Sequence, residues 1–164
     1  MAVKLAKKTG ARLHVFHLST AKELELFSNK LPLKEKKITC EVCIHHLTFS
    51  DEDYDKFGSK IKWNPAVKTS NDRDKLWEAL NNDLIDVIAT DHAPHTAEEK
   101  QNPYISCPSG GPLVQHSLVS MLEAYHQEKI SLEKIVQKMC HNPAILFDIS
   151  KRGFVQEGFY ADLV

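Results

Sequence analysis

The sequence has no apolar run approaching the roughly 20 residues that cross a bilayer, so no membrane partner is expected. Neither sign of charge dominates, with 21 basic side chains against 22 acidic ones, and this leaves no electrostatic footprint for nucleic acid. The opening residues, Met1-Ala2-Val3-Lys4-Leu5-Ala6-Lys7-Lys8, lack the apolar stretch of a secretory signal, which makes the cytoplasm the expected compartment. Cysteine is sparse. Cys40 and Cys43 form a C-x-x-C, but Cys107 and Cys140 stand too far apart to supply the second close pair of a zinc ribbon. Within the β-like run Ile38 to Ile44, a spacing of three turns the two thiols to opposite faces, so buried, reduced cysteines are expected. Pro108-Ser109-Gly110-Gly111-Pro112 has neither the lysine nor the spacing of a phosphate loop, and reads as a hinge or lid.

What the sequence does contain suits one globular domain: 164 residues, 42% hydrophobic and 26% charged. Its unusual feature is nine histidines, the commonest metal ligand and the side chain that titrates near neutrality.

Three short apolar segments rich in β-branched residues read as buried parallel strands: Arg12 to His17, Ile38 to Ile44, and Ile85 to Thr90. Helical patterns follow the first two. Thr20 to Glu23 is a capping box opening a helix with Leu24 and Phe27 on one side, and Ser50 to Asp53 is a second box leading to Gly58. Asn71 or Asp72 is the expected cap of a helix carrying Leu76, Trp77 and Leu80. Leu113 to His126 is expected to be helical throughout, followed by a helix marked by Leu132, Ile135, Val136 and Met139. Asn142-Pro143 fits an N-cap with proline at the first helical position. Gly153 to Val164 reads as glycine-punctuated and β-like. This alternation is βα grammar. Three parallel strands do not close a barrel; they belong to a doubly wound sheet or to a slice of an eight-stranded one.

Polar residues end each strand. The first ends in His17-Leu18-Ser19-Thr20, the second runs into His45-His46, and the third ends in Thr90-Asp91-His92-Ala93-Pro94-His95. In a (β/α)8 barrel the reacting groups sit at these carboxyl ends. Taken alone, His17 reads better as a core histidine bonded to backbone or as a strand terminus in solvent. A carboxylate directly after Val87-Ile88-Ala89 is costly to bury unless paired or coordinated. Asp91 with His92 and His95 therefore reads equally as a divalent-metal environment or as a turn cap with two loop histidines.

Five ordered blocks decide between these readings. Asp91-His92-Ala93-Pro94-His95, His17-Leu18-Ser19-Thr20, Cys40 to Leu47, Lys62-Trp63-Asn64-Pro65-Ala66-Val67-Lys68, and the tail from Arg152 through Gly158 to Val164 resemble the dihydroorotases of the amidohydrolase superfamily. The loop Ser109 to His116 resembles a branch of that family rather than its commonest form. The resemblance implies an α/β fold: the C-terminal portion of a (β/α)8 TIM-type barrel, strands six to eight with their helices over residues 1–150. Residues 151–164 would then begin the return into a small β domain.

The resemblance further implies a binuclear zinc centre, with His17 ligating one ion and Asp91 ligating the other while acting as general acid/base. Asn64, His95 and the Ser109-Gly110 backbone would bind a small cyclic amide, in the interconversion of N-carbamoyl-aspartate and dihydroorotate. His45 and His46 would pack behind the site without ligating. The family's H-x-H-x-R and further ligands have no counterpart in the 16 residues before His17, so an incomplete site with little activity of its own is expected. An exposed barrel edge makes a homo-oligomer the expected state. The competing readings are a hydantoinase- or allantoinase-like hydrolase and a non-catalytic, dihydroorotase-like scaffold subunit.

Overall fold

Three parallel strands form a sheet in the order β1-β2-β3: β1 is Leu13–Val15, β2 is Ile38–Cys43 and β3 is Val87–Ala89. The computed structural model describes all of residues 1–164. His14 pairs with Thr39 and Val15 with Cys40; on the other side Glu41 pairs with Val87 and Cys43 with Ala89. Both outer strands are shorter than the apolar runs suggest. At β1 the ladder ends two residues before His17, and at β3 two residues before Asp91. Both of those residues leave extended geometry, at φ 55° and 48°.

Alternation along β2 divides the sheet into two chemically distinct faces. Cys40 and Val42 enter the main core with Val15 of β1 and Ile88 of β3. Thr39, Glu41 and Cys43 point the other way, and all three are nonetheless buried. The C-x-x-C thiols therefore lie on opposite faces, as their spacing predicts, and all four cysteines are free. Cys140 departs from expectation by being exposed.

The helices are α1 (Ala2–Thr9), α2 (Ile44–Thr48), α3 (Tyr54–Phe57), α4 (Ser70–Asn81), α5 (Ser117–His126), α6 (Leu132–Val136) and α7 (Asn142–Leu146). Helix α4 closes the core with Leu76 and Leu80, while the Trp77 indole donates to Leu47 O at 2.8 Å and ties it to α2. Its cap is Thr69 rather than Asn71 or Asp72. The Thr69 hydroxyl accepts from Asp72 N–H at 3.2 Å, and the Asp72 carboxylate accepts from Thr69 N–H at 3.3 Å.

Other helix expectations also change. The Thr20–Glu23 box is present but opens a six-residue 3₁₀ segment, Ala21–Leu26. Leu24 and Phe27 alone face the core there, too little apolar surface to hold two α-turns before Pro32. The helix expected from Leu113 starts at Ser117, since Gly111 O accepts from Ala93 N–H and Val114 N–H donates to His92 Nδ1, which tie this run to the β3 loop. Asn142 is not a cap: α6 continues through a π-turn, Gln137–His141, into α7, and the buried Asn142 amide donates to Asp86 O at 2.7 Å. Gly153 to Val164 forms turns and coil, with no strand. No helix is long and apolar enough to cross a membrane.

The amino ends of β2 and β3 are locked by buried charge. Asp86, 3% exposed, accepts from Cys40 N–H at 3.0 Å and from the Lys36 ammonium at 2.6 Å. Lys138, 1% exposed, donates to Ile85 O at 2.6 Å and lies 2.8 Å from Asp83. Burial pushes the Lys138 ammonium below its usual range. Burial also works against ionised Asp83, but the Lys134 and Lys138 hydrogen bonds more than offset it and hold that carboxyl low.

Candidate active site at the carboxyl ends of the strands

At the opposite end of the sheet, His17 and Asp91 converge, with Nε2 of the imidazole 3.4 Å from Oδ1 of the carboxylate. Each occupies the left-handed region, which costs a non-glycine residue on the order of 1–3 kcal/mol and concentrates at functional sites. The two residues come from the outer strands and meet above Cys43, at the carboxyl end of the strand between them.

The other nitrogen of His17, Nδ1, lies 2.8 Å from Glu41 Oε1 and 3.1 Å from Cys43 Sγ. Glu41 Oε2 is 3.0 Å from His14 Nε2, and His14 Nδ1 is 2.9 Å from Thr39 Oγ1. Burial raises the Cys43 thiol, and the neighbouring carboxylates Glu41 and Asp91 raise it further, so it stands as a neutral thiol. Sequence reasoning passed over Glu41, Cys43 and His14. The signal that marks them is period-two alternation: Thr39, Glu41 and Cys43 share one face of β2, and a buried carboxylate on that face demands partners.

His45 and His46 are buried behind this cluster, as expected of them. The His45 ring stacks on Trp63, with centroids 4.4 Å apart, and His46 Nε2 donates to Pro65 O at 3.0 Å. Burial pushes His45 down to about 2 and His46 down to about 4, so both are neutral at neutral pH. Cys43, His45 and His46 bring potential donor atoms within 4.8 Å of one another, as do His17, Glu41 and Cys43.

The residues expected to bind substrate lie on the surrounding loops. His95 Nε2 donates to Ser109 O at 3.0 Å, bringing those two together. Gly110 N–H donates to Lys62 O at 2.9 Å, and a Cβ on Gly110 would fall 2.6 Å from both Cβ and O of Ala93. Asn64 is exposed, and its side chain bonds to neither pair. The Ser109–Gly111 loop is pinned rather than hinged. The buried Lys100 ammonium donates to the carbonyls of Lys62, Pro108 and Gly110 at 3.0–3.2 Å, and Ala93 N–H donates to Gly111 O at 3.2 Å. Lys100 has no sequence signature; an isolated lysine in a loop reads as solvated.

The His17–Asp91 pair fits a metal ion. Zinc bonds to histidine nitrogen and carboxylate oxygen are about 2.0–2.2 Å, which puts neighbouring donors roughly 3.3 Å apart in a tetrahedral shell. The observed 3.4 Å suits two donors of one ion or donors to two adjacent ions. Imidazole with carboxylate is also a donor set for zinc and similar divalent metals.

Fold and site together define a parallel βα unit whose histidine and carboxylate groups meet at the carboxyl ends of its strands. The chain belongs to the amidohydrolase family, whose sequence model matches residues 1–164. It is 37% identical over 163 residues to a dihydroorotase of Clostridioides difficile, and 39% identical over 164 residues to one of Carboxydothermus hydrogenoformans. Each alignment covers 98% of this chain, which spans 38% and 37% of those relatives' lengths. Among solved structures, L-hydantoinase (dihydropyrimidinase) from Arthrobacter aurescens superposes with a TM-score of 0.86 at 30% identity, over 98% of this chain and 36% of that one. A Saccharomyces cerevisiae dihydroorotase in complex with 5-fluoroorotic acid shares the fold, with a TM-score of 0.78 at 16% identity over 95% of this chain and 42% of that one.

Proposed function

We propose that this chain supplies strands six to eight of a (β/α)8 barrel in a zinc-dependent cyclic-amide hydrolase that interconverts N-carbamoyl-aspartate and dihydroorotate. Residues 151–164 would lead into a further small domain. The carrying observation is the 3.4 Å approach of His17 and Asp91 from the ends of two different strands, both in strained backbone. His17 and Asp91 would hold metal there, and the metal when bound would supply Lewis-acid polarisation of the amide carbonyl and activation of water.

The chain's own residues divide the remaining work. Asp91 takes a proton from the attacking water at a carboxylate oxygen and returns it to the departing amide nitrogen; ring closure runs the same transfer backward. Asn64, His95 and the Ser109-Gly110 backbone orient the ring. The partner is thus a small molecule, and the compartment that goes with this role is the cytoplasm. A hydantoinase-type substrate is the second reading, favoured by the structural match to L-hydantoinase at 30% identity. The 35–39% identity to dihydroorotases supports the first.

The deciding experiment is to assay the full-length, zinc-loaded protein on dihydroorotate, hydantoin and dihydrouracil side by side. Dihydroorotate is expected to be turned over with the highest kcat/KM. Preference for either of the other two would replace the first reading with the second, and no turnover of any would leave the scaffold role.

A further inference from the structure

Glu41 takes no part in the proposed proton transfer, yet it lies at the centre of the site's hydrogen bonding. Its side chain is 8% exposed, and each of its carboxylate oxygens faces one imidazole nitrogen: Oε1 to His17 Nδ1 at 2.8 Å, and Oε2 to His14 Nε2 at 3.0 Å. A lone pair on either nitrogen would face carboxylate oxygen at hydrogen-bond distance in a dry environment, which is repulsive. Both nitrogens therefore carry hydrogen and donate to Glu41. The far nitrogen of His14 then accepts from the Thr39 hydroxyl at 2.9 Å, so each member of the row has a partner. For His17 the consequence is specific. Glu41 is the closer and drier of the two carboxylates flanking His17, at 2.8 Å against 3.4 Å for Asp91, so the hydrogen is held on Nδ1 and Nε2 is the nitrogen left open to a metal ion.

We propose that Glu41 is the positioning residue of this site, fixing the tautomer and ring angle of His17 so that Nε2 is presented as a metal ligand, and that His14 and Thr39 hold Glu41 in place. The proposal rests on the reading of His17 as a ligand. A carboxylate accepting from the far nitrogen of a ligating imidazole also raises its basicity, and losing such a partner typically costs 10–100-fold in metal affinity. Cys43 does not substitute for Glu41. Its sulfur lies 3.1 Å from the same nitrogen, farther than the Glu41 oxygen at 2.8 Å, and sulfur is a weaker acceptor than a carboxylate.

The test uses the full-length protein with ¹⁵N-labelled histidine, His17 being assigned by its loss in His17→Gln. Tautomers are read from the ring ¹⁵N shifts in metal-free protein, and zinc affinity from chelator competition. In the wild type, His17 is expected to carry its hydrogen on Nδ1. Glu41→Ala is expected to move that hydrogen to Nε2 and weaken zinc binding about 10–100-fold. Glu41→Gln keeps the side-chain shape, so it carries the test even if the alanine variant does not fold. Its amide oxygen still accepts from His17, while its NH₂ faces His14 and drives the His14 hydrogen to Nδ1, and zinc affinity falls between the other two.

A wild-type His17 without hydrogen on Nδ1 overturns the proposal, as does a Glu41→Gln protein with His14 tautomer and zinc affinity unchanged. Wild-type protein that shows the Nδ1–H tautomer, loses it in Glu41→Ala, yet binds no zinc confirms the positioning role and overturns the metal-ligand reading.

Discussion

As the proposed proton carrier, Asp91 would serve as acid or base depending on which way the reaction runs. Opening the ring begins with the carboxylate and closing it begins with the carboxylic acid. The two directions should therefore respond oppositely to pH, opening gaining and closure losing as pH rises; parallel profiles for both would exclude Asp91 as the proton carrier. Asp91→Asn keeps the volume and removes the proton chemistry, so kcat should fall by about 10²–10⁴ while the circular dichroism spectrum is unchanged. His45 carries a different pH effect, on stability. Its folded-state pKa is depressed to about 2, so as pH falls below about 6.5 the unfolded chain takes up a proton that the folded chain refuses. Stability is thus lost on acidification and regained as pH rises. His45→Phe retains a ring to stack on Trp63 and removes that proton, so the slope of unfolding free energy between pH 5 and 6 should drop by about 1.2 kcal/mol per pH unit in urea titrations. An unaltered slope would mean His45 charges freely in the folded state.

At the scale of elements, the sheet is clamped at one end and carries the candidate site at the other. Asp86 and Lys138 lock the amino ends of β2 and β3, the end of a βα sheet where buried polar groups serve stability. Asp86→Ala leaves the Lys36 ammonium and the Cys40 N–H without their acceptor. It should cost about 3–5 kcal/mol in equilibrium unfolding, well beyond a surface change. The helix-cap contact at Thr69 is smaller: Thr69→Ala should cost about 1 kcal/mol, since Asp72 still accepts from Ala21 N–H at 2.8 Å. At the site end, Gly110 is held at φ 123° against Ala93. Gly110→Ala must push the Ser109 loop away from the β3 loop. The His95–Ser109 bond should break, seen as a shift of the His95 ring signals, and substrate KM should rise with the metal affinity unchanged.

For the molecule as a whole, a three-stranded sheet with one strongly polar inner face is not self-sufficient. Phe16 and Phe147 flank His14 with edge-on rings, yet they stand 61% and 52% exposed. β1 and β3 each have one unpaired edge. Unpaired edges beside exposed aromatics favour association. The 164-residue chain expressed alone is therefore expected to sediment as a dimer or larger species, and a clean monomer at tens of micromolar would contradict this.

The strands, the main helices and the setting of His17 and Asp91 just beyond strand ends were legible in the sequence, because each is written locally; that the two side chains meet was decided by the sheet. Apolar runs of β-branched residues make strands, and polar groups set at their carboxyl ends mark a mouth. Residues 1–164 likewise carry their family membership in ordered motifs. The tertiary structure alone decided which polar residues inside a strand matter, because burial depends on neighbours distant in sequence. Glu41 becomes the acceptor for two histidines only when β1 is laid beside β2, and Lys100 becomes the pin of the Ser109 loop only when three carbonyls from two separate segments surround it. Asn142 follows the same logic: local sequence offers it a capping role, and packing instead turns its amide to the buried Asp86 carbonyl.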